Sequence, residues 1–551
     1  MFYALLSSIP IVFCLFTMSV LKWSGVRAIF VSLCITIVFA VFIWKLNFID
    51  IIAYDISGIL EVSNIIFIIF GAILLLNILT KAGAINVINN SFNNISMDSR
   101  IHILLIGLAF NTFLNGIAAF GTEIALSTLV LISLGFPAFP AAIIALAFNA
   151  PFISFGAVGV PTITAIALTK NSAQDIGLNI TEYANQVSSY SAFLHSIAGM
   201  VLTIIVLFIV IKIFAKEKSW KPFLEIIPFA LLNSAFMYAA YYWTAKYLGP
   251  DLPTVIAGIV GLTTIILTTK FKLFLPKTVW TFPPAHTWSK LWIPAEHTGK
   301  NKNNLEPKED RKAPNPFKAW LPYILCSVIL VVSRIPSLGV QGMFKHYVLR
   351  IHHLFGLEKV NYDFLWLYSP GIMPFLMISV LAIFMFNLKT KEVKEVLFAT
   401  WDKSKLAILA IILSVMMVSI MLKSSNNPVG LQGMLTSIAA LISNLQGVGV
   451  IIITPIIGAL GTFVSGSNTT SNILFTNTAF DIATITSVPN YVLVSLQNVG
   501  GGAGIMFCFK NILIVSSITG LKNREGHMLN YMLLISLIYI LLLLLTVFAT
   551  I

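Results

Sequence analysis

Residues 461–472 read GTFVSGSNTTSN and are the most informative segment of this chain. The last eight of them are all Ser, Gly, Asn or Thr, yet the chain is 58% hydrophobic and only 10% charged. A soluble domain cannot bury so much apolar surface, and long uncharged runs recur along all 551 residues. The sequence therefore predicts a polytopic membrane protein that holds polar side chains inside the bilayer.

The distribution of charge indicates a lipid bilayer rather than nucleic acid as the partner. The formal net charge is +13, but Lys and Arg collect in loops beside apolar runs, which is the pattern that orients helices across a membrane. We expect no nucleic-acid partner. The first apolar run, residues 2–21, has no basic segment before it and no small-residue cleavage site after it. We therefore expect a retained span rather than a signal peptide.

Basic loops set the predicted orientation. Residues 212–221, residues 270–318 and the loop LKTKEVKE that begins at Leu388 are rich in lysine and arginine, so we expect them on the cytoplasmic side. Counting spans from these loops places the N-terminus outside, together with the polar loop at 171–186. The compartment we expect is the bacterial inner membrane, crossed many times.

Two segments fit this count only as re-entrant hairpins. If residues 101–136 crossed the membrane, the loops on either side of them could not lie on one face, so we predict a hairpin with the tip NGIAAFGTE. The same argument predicts a hairpin at 447–480 with the tip SGSNTTSN. Non-helical backbone at membrane depth is tolerated only against protein or a water-filled cavity. Two such tips imply one cavity.

The two tips are related by an internal repeat. The segments TFLNG, residues 112–116, and TFVSG, residues 462–466, lie about 350 residues apart, and each follows an apolar run. Asn149 before FGAVGVP and Asn498 before GGGAGIM repeat at nearly the same distance. The crossings counted between the two halves make the second half inverted relative to the first. Inverted repeats with broken helices are typical of secondary transporters.

We therefore predict an all-α polytopic membrane protein with two inverted-topology repeats. Each repeat has about five transmembrane helices and one re-entrant hairpin. Residues 1–211 form the first repeat, residues 319–551 form the second, and residues 212–318 contribute two linking helices and a cytoplasmic hydrophilic loop.

The polar residues at and near the tips are the predicted substrate site. The N-terminus of a restarting half-helix favours an anion, so a small carboxylate would fit there. The alternative is that Ser, Thr and Asn only hold helices together, which is common in membranes. The predicted substrate-binding residues are Asn115, Gly116, Gly121, Thr122, Asn149, Ser465, Gly466, Ser467, Asn468, Thr469, Thr470, Ser471, Asn472, Asn498, Gly500 and Gly501.

These motifs resemble those of the bacterial lactate permease family, which also carries glycolate. The resemblance covers most of the chain apart from the hydrophilic loop, in the segments KAGAINVI, FLNGIAAFG, LGFPAFPAA, NAPFISFGAVGVP, LGPDLP, FLWLYSPG and GTFVSGSNTTSNILF. It implies a proton-coupled monocarboxylate symporter with the fold of the ion-transporter superfamily, in which the hairpin unit moves against a scaffold.

The chain departs from that family at charged positions. Asn115 stands where the resemblance leads us to expect Glu, and Asn468 where it leads us to expect Asp. The expected lysine falls on Ile505, whereas Glu123 and Lys510 are charges that the family pattern does not include. The resemblance therefore does not supply the coupling acid of this chain.

Glu123 and Lys510 are the predicted coupling residues, because an ionisable residue inside a span usually has a function or a partner. Two interpretations of each are open. Glu123 is the coupling acid, or it is held by the dipole at the start of a helix, worth about 0.3–1 kcal/mol. Lys510 binds the substrate carboxylate, or it pairs with Glu123 and is structural, since an unpaired buried cation is costly.

The sequence thus predicts a secondary transporter that imports small monocarboxylates, L-lactate first and D-lactate or glycolate next, by cation symport with the proton favoured. The alternatives are a sodium-coupled carboxylate carrier, because neutral Asn-rich tips resemble sodium sites, and a receptor-like protein that has lost transport. We expect no enzyme, since the chain has no Ser/His/Asp order, no HExxH and no phosphate-binding loop. We also expect no cofactor or metal beyond a co-transported proton or sodium ion. Analogy with elevator-type carriers suggests a homodimer.

Overall fold

The protein is described by a computed structural model over residues 2–21, 23–119, 121–294, 313–334, 339–351, 362–368, 371–440, 448–486 and 488–551. The hydrophilic stretch at 300–312 lies outside these ranges. The helices of the first part of the chain are α1 Phe2–Ser19, α2 Gly25–Phe42, α3 Phe48–Lys81, α4 Ala84–Ile95, α5 Ser99–His102, α6 Asn111–Ala118, α7 Thr122–Ser133, α8 Ala138–Asn149, α9 Gly156–Asp175, α10 Ile180–Phe208, α11 Lys221–Tyr247 and α12 Pro253–Lys270.

The later helices are α13 Pro316–Arg334, α14 Val340–His346, α15 Met377–Met385, α16 Thr390–Lys423, α17 Met434–Ala440, α18 Val448–Ser465, α19 Asn468–Thr486, α20 Asn490–Phe507, α21 Phe509–Thr519 and α22 Glu525–Thr550. Within the described residues, the one departure from an all-α fold is a short antiparallel pair of strands, β1 Leu349–Ile351 and β2 Tyr362–Phe364.

The helices have the length and surface of membrane spans. Eight helices among the described residues are long and apolar enough to cross a bilayer. Helix α22 leaves Leu534, Leu537 and Leu541 exposed on one face, while Tyr539 and Leu543 on another face are buried. Because leucines spaced three and four apart line a lipid-facing stripe, the predicted multi-pass membrane protein is confirmed.

Two helix interruptions occur in the first half of the chain. Between α6 and α7, Ala119 has a φ of 33° and Gly121 a φ of 98°. A second interruption bends α9 near its start, where Ala157, Val158 and Gly159 all have positive φ. A left-handed conformation costs a residue with a side chain about 1–2 kcal/mol. Packing around these two bends must therefore hold them in place.

Two further interruptions occur in the second half. Gly466, with a φ of 66°, separates α18 from α19. Cys508 is extended, with φ −63° and ψ 142°, and separates α20 from α21. These breaks fall about 350 residues after those of the first half. Interruptions of this kind free backbone groups that must find partners inside the protein.

Both ends of the segment 101–136 lie against the same part of the chain. The backbone N–H of Ser99 donates a hydrogen bond to the Trp280 carbonyl at 2.9 Å. The Phe136 ring packs edge-on against Phe282, with 5.1 Å between ring centres. Since Trp280 and Phe282 are two residues apart, the chain enters and leaves this segment on one side of the molecule.

Parts of the two interrupted segments contact opposite ends of helix α10. With its π-helical continuation to Phe214 it is about 50 Å long. Near its start Tyr183 packs against Phe480 of α19, with ring centres 5.9 Å apart. At its other end Phe214 packs against Phe139, which follows the segment 101–136, at 6.0 Å. The C-terminal part of α19 and the base of the segment 101–136 therefore lie at opposite ends of α10.

A buried arginine fixes the base of the first segment. Arg100 is fully buried and forms charge-assisted hydrogen bonds with the Asp98 carboxylate. It also donates to the carbonyls of Pro222, at 2.6 Å, and Thr278. The Glu225 carboxylate oxygen Oε2 lies 3.8 Å from Arg100 Nη1. The planar guanidinium group thus ties the base of the segment to the start of α11 and to the chain that follows α12.

Glycines bring α18 and α20 into backbone contact. A Cβ atom on Gly458 would lie 2.1 Å from the Gln497 carbonyl oxygen, and one on Gly500 would lie 2.2 Å from that of Pro455. Gly504 is equally close to its neighbour on α18. Small residues at a helix interface let membrane helices pack by van der Waals contact. This pair of helices forms the framework of the site described next.

Candidate functional site

The polar centre of the molecule forms around Asn468, the first residue of α19. Its amide nitrogen donates to the Asn498 side-chain oxygen at 3.1 Å, to the Asn498 carbonyl at 3.2 Å and to the Ser154 hydroxyl at 3.3 Å. The Thr462 hydroxyl donates to its amide oxygen at 3.4 Å. All four side chains are buried. Asn468 therefore joins both helices of the second segment to α20 and to the interrupted region of the first half.

Asn498 is the shared partner in this centre. Asn472 donates to its side-chain oxygen at 3.0 Å. Its own amide nitrogen donates to the hydroxyls of Thr162 at 2.9 Å and Ser191 at 3.3 Å. Asn472 also donates to the Pro161 carbonyl, just after the bend in α9, at 2.8 Å. Groups from α9, α10 and α19 thus converge on one amide.

A histidine extends the centre towards α22. His195 is fully buried on α10, near the middle of that helix. Its Nε2 lies 2.8 Å from the Ser154 hydroxyl, and its Nδ1 lies 2.7 Å from the Tyr539 hydroxyl. A continuous chain of hydrogen bonds therefore runs from Asn468 through Ser154 and His195 to Tyr539.

The first tip has its own pair of amides. Asn115 on α6 donates to the side-chain oxygen of Asn149 at the end of α8. A Cβ atom on Gly156 would lie 2.5 Å from the Asn115 side-chain oxygen, so only glycine leaves room for this amide. Gly116 packs against α12, with its Cβ position 2.6 Å from the Val255 nitrogen. Both predicted asparagines are thus brought together, whereas Gly116 serves helix packing.

The N-terminal turns of α21 lie beside both tips. The Lys510 side chain packs against Gly466, whose Cβ position is 3.0 Å from Lys510 Cβ. The Cβ position of Gly121 is 2.6 Å from Ile514 and 3.8 Å from the side-chain oxygen of Asn511. One short helix therefore contacts the interruptions of both halves.

Glu123 lies in the first turn of α7. It is buried, and its carboxylate accepts a hydrogen bond from the Gly121 N–H at 3.0 Å. Glu123 and Lys510 are close enough to interact electrostatically. This geometry suits an acid held at a helix start, and it also puts a carboxylate beside the first tip.

Several buried amide atoms in these clusters have hydrogen-bonding capacity left over. The side-chain oxygens of Asn115, Asn472 and Asn511 and the side-chain nitrogen of Asn149 have no hydrogen-bond partner among the described residues. A buried polar atom without a partner costs about 1–3 kcal/mol. Such atoms around the helix breaks suit a polar ligand or a cation.

The other predicted site residues divide into two groups. Gly501 lies against Asn468, where a Cβ atom would overlap the amide oxygen. The remaining ones belong to the turn or to helix packing. Ser465 donates to the Gly461 carbonyl, Ser467 accepts from the Thr470 N–H, Ser471 donates to the Gly458 carbonyl, Thr469 is half-buried, Gly500 packs on α18, and Thr122 begins α7.

Sequence reasoning missed the polar residues that the first half contributes to the second tip. Ser154, Thr162, Ser191 and His195 all belong to this set, with Tyr539 behind them. Their partners in the second half are more than 300 residues away along the chain. A local signal existed only for Ser154, which lies in the Gly-rich segment FISFGAVGVP.

These features define a multi-pass membrane protein whose buried polar centre is built from interrupted helices of both halves of the chain. The chain belongs to the L-lactate permease family, whose model matches residues 3–551.

Its relatives cover nearly its whole length. It is 28% identical to the putative L-lactate permease of Haemophilus influenzae over 90% of this chain and 88% of that protein. It is 27% identical to the L-lactate permease of Bacillus subtilis, over 98% and 94%, and 26% identical to the glycolate permease GlcA of Escherichia coli, over 97% and 93%. The predicted family is therefore confirmed, and it is a family of permeases.

Proposed function

We propose that this protein imports small monocarboxylates, L-lactate first, by cation symport with the proton as the favoured ion. The observation that carries the proposal is the polar centre near the middle of α10, where Asn468, Asn498 and Ser154 meet beside interrupted helices. The names of the relatives support lactate or glycolate as substrate. Helix starts beside neutral amides suit a single carboxylate.

Two structural facts support an inverted repeat with re-entrant hairpins. Both ends of the segment 101–136 lie on one side of the molecule, as a hairpin requires. The base of that segment and the C-terminal part of α19 lie at opposite ends of α10, as expected if the second repeat is inverted relative to the first. In such transporters the substrate binds where the two repeats meet, near the membrane midplane.

The coupling acid that we propose is Glu123. Its buried carboxylate lies beside the first tip, where the negative charge of an approaching substrate carboxylate favours a proton on it. Replacing Glu123 by Gln keeps the hydrogen-bond acceptor for the Gly121 N–H but removes the charge.

We expect E123Q to abolish accumulation of lactate driven by a pH gradient while lactate exchange without a gradient continues. Uptake of labelled lactate and exchange of labelled for unlabelled lactate, measured in the same proteoliposomes, check this expectation. An E123Q protein that keeps full pH-driven accumulation would show that Glu123 is only held at the helix start.

A sodium-coupled mechanism is the second candidate. The buried side-chain oxygens of Asn115 and Asn472 have no hydrogen-bond partner among the described residues, and neutral amide oxygens are ligands that suit a hard cation. Lactate with one proton moves no net charge, whereas lactate with two sodium ions moves one. The second process gains about 2.3 kcal/mol per 100 mV of membrane potential.

The test is uptake of labelled lactate into proteoliposomes under an inward proton gradient or an inward sodium gradient, with the membrane potential clamped and then imposed. Uptake driven by protons and unaffected by potential supports the proposal. Uptake that requires sodium and rises with an inside-negative potential supports the second candidate. If neither gradient drives uptake of lactate or glycolate, the proposed function is wrong and a receptor-like role becomes the better hypothesis.

A further inference from the structure

We propose that His195 is a proton-binding group of the substrate site, and that a proton on His195 and a carboxylate at the Asn468 tip stabilise each other. The inference rests on the proposed monocarboxylate function. It adds to Glu123, beside the first tip, a second titratable group that serves the second tip.

The single hydrogen of the Ser154 hydroxyl can point to the Asn498 carbonyl or to His195 Nε2, and each choice places the proton of neutral His195 on a different ring nitrogen. In the first pattern the Ser154 hydroxyl donates to the Asn498 carbonyl at 3.2 Å. Its oxygen then accepts from the Asn468 amide at 3.3 Å and from His195 Nε2 at 2.8 Å. In this pattern His195 carries its proton on Nε2, and Nδ1 accepts from the Tyr539 hydroxyl at 2.7 Å. In the second pattern Ser154 donates to Nε2, and Nδ1 carries the proton and donates to Tyr539.

This arrangement can take up a second proton without moving any heavy atom. A proton that arrives from the aqueous side forms an N–H bond at Nδ1. The Tyr539 hydroxyl then rotates so that its oxygen accepts, because a hydroxyl group is both donor and acceptor. From the second pattern the proton adds at Nε2 instead, and the Ser154 hydrogen turns to the Asn498 carbonyl. A histidine between two hydroxyls is thus built to be neutral or cationic in one geometry.

Among the described residues, no acidic side chain is hydrogen-bonded to His195 to balance a cation. The titratable groups that face it are tyrosines: Tyr539 on α22, Tyr241 on α11 with its ring centre 6.5 Å away, and Tyr238, which packs against Gly199 one turn further along α10. From α20, Gly502 packs against the imidazole ring.

We expect the substrate carboxylate to supply the negative charge that balances a protonated His195. A carboxylate bound beside Asn468 would be one hydroxyl group, Ser154, away from the imidazolium ion. In a buried site of low dielectric, this attraction is much stronger than in water. Substrate binding therefore favours protonation of His195, and by linkage a lower pH tightens substrate binding.

The experiment measures lactate exchange by the full-length protein in proteoliposomes, with equal pH on both sides from pH 5.5 to 8. Equal pH removes any driving force, so the half-saturation constant reports binding. Each linked proton lets this constant rise by up to about tenfold per pH unit. The variants are H195Q, which keeps a donor for Ser154 but cannot bind a proton, E123Q, and H286Q as the control because His286 is exposed.

We expect the half-saturation constant of H195Q to depend on pH less steeply than that of the wild-type protein, by up to about tenfold per pH unit. H286Q should keep the wild-type slope, and E123Q should keep the part of the slope that H195Q loses. A wild-type slope in H195Q overturns the inference. If H195Q does not fold, Y539F replaces it, since phenylalanine removes the acceptor for the protonated Nδ1, and a wild-type slope in Y539F overturns the inference equally.

The two proposals fail in different ways. If the wild-type protein exchanges neither lactate nor glycolate at any pH, the proposed function is wrong and the inference falls with it. If the wild-type protein exchanges lactate with a constant that does not change with pH, only the proton linkage is wrong.

Discussion

Amide side chains carry most of the hydrogen bonds in the polar centre. Asn498 accepts from Asn468 and Asn472 and donates to Thr162 and Ser191, so one neutral group connects helices of both halves. An amide can do this because it offers donors and acceptors at once. A carboxylate in the same position could only accept, and it would leave the two hydroxyls without their donor.

We expect Asn468→Ala to reduce lactate uptake by about 5- to 150-fold, because the loss of a buried donor leaves partners unsatisfied at about 1–3 kcal/mol. The measurement is initial uptake per amount of folded protein. Asn477 lies exposed on the same helix, so N477A is the matched control and should transport normally. Equal uptake by N468A and N477A would remove Asn468 from the site.

Sequence reasoning found the amides of the centre and missed the groups that orient them. Asn468 and Asn472 were predictable because a cluster of polar residues in an apolar chain is costly unless it has partners. His195 was not predictable, because an isolated histidine in an apolar run gives no sign of its partners. Its contact with Tyr539 spans 344 residues, a distance that only the packed fold reveals.

Glycine-rich segments act in two different ways among the interrupted helices. The segment before α9 bends the chain, with Gly159 at a positive φ. The run Gly500, Gly501 and Gly502 looks like a break but lies inside α20. Its glycines admit the backbone of α18 and the side chains of Asn468 and His195 instead. The Gly-rich repeat after Asn149 and Asn498 therefore did not reveal that the last interruption falls at Cys508.

We expect Gly500→Ala to destabilise the protein by about 1–3 kcal/mol, because a methyl group there would lie 2.2 Å from the Pro455 carbonyl oxygen and force α18 away from α20. Thermal denaturation of the purified protein in detergent measures the change as a lower midpoint. Gly449 on α18 has no neighbour within 4 Å of its Cβ position, so G449A is the control. A midpoint for G500A as high as that of G449A would contradict the close packing.

Hydrogen bonds in the polar centre join the two halves of the molecule. Ser154 and Thr162 come from the first half, while Asn468 and Asn498 come from the second. Neither half therefore satisfies its own polar groups alone. This arrangement follows if the halves are inverted copies that meet at their interrupted helices, and it makes the orientation of each loop in the membrane a direct test of the architecture.

We expect Q174C to react with a membrane-impermeant thiol reagent in intact cells. T287C should react only after the cells are permeabilised. Both positions are exposed, and the distribution of Lys and Arg predicts that they lie on opposite sides of the membrane. The background is a variant in which Cys14, Cys34, Cys326 and Cys508 are replaced by alanine and which still transports lactate. Labelling of T287C but not of Q174C in intact cells would contradict the predicted orientation and indicate the opposite one.

The contacts of Arg100 also bear on how the protein is made. Its partners at Pro222 and Thr278, and the bond from Ser99 to Trp280, join parts of the chain that a ribosome produces about 120–180 residues apart. At about 5–20 residues per second, the base of the first segment waits about 10–40 s for its last partners. During that time Arg100 and Ser99 lack these carbonyl partners. We therefore expect the segment 101–136 to reach its final packing only after the chain up to Trp280 has been synthesised.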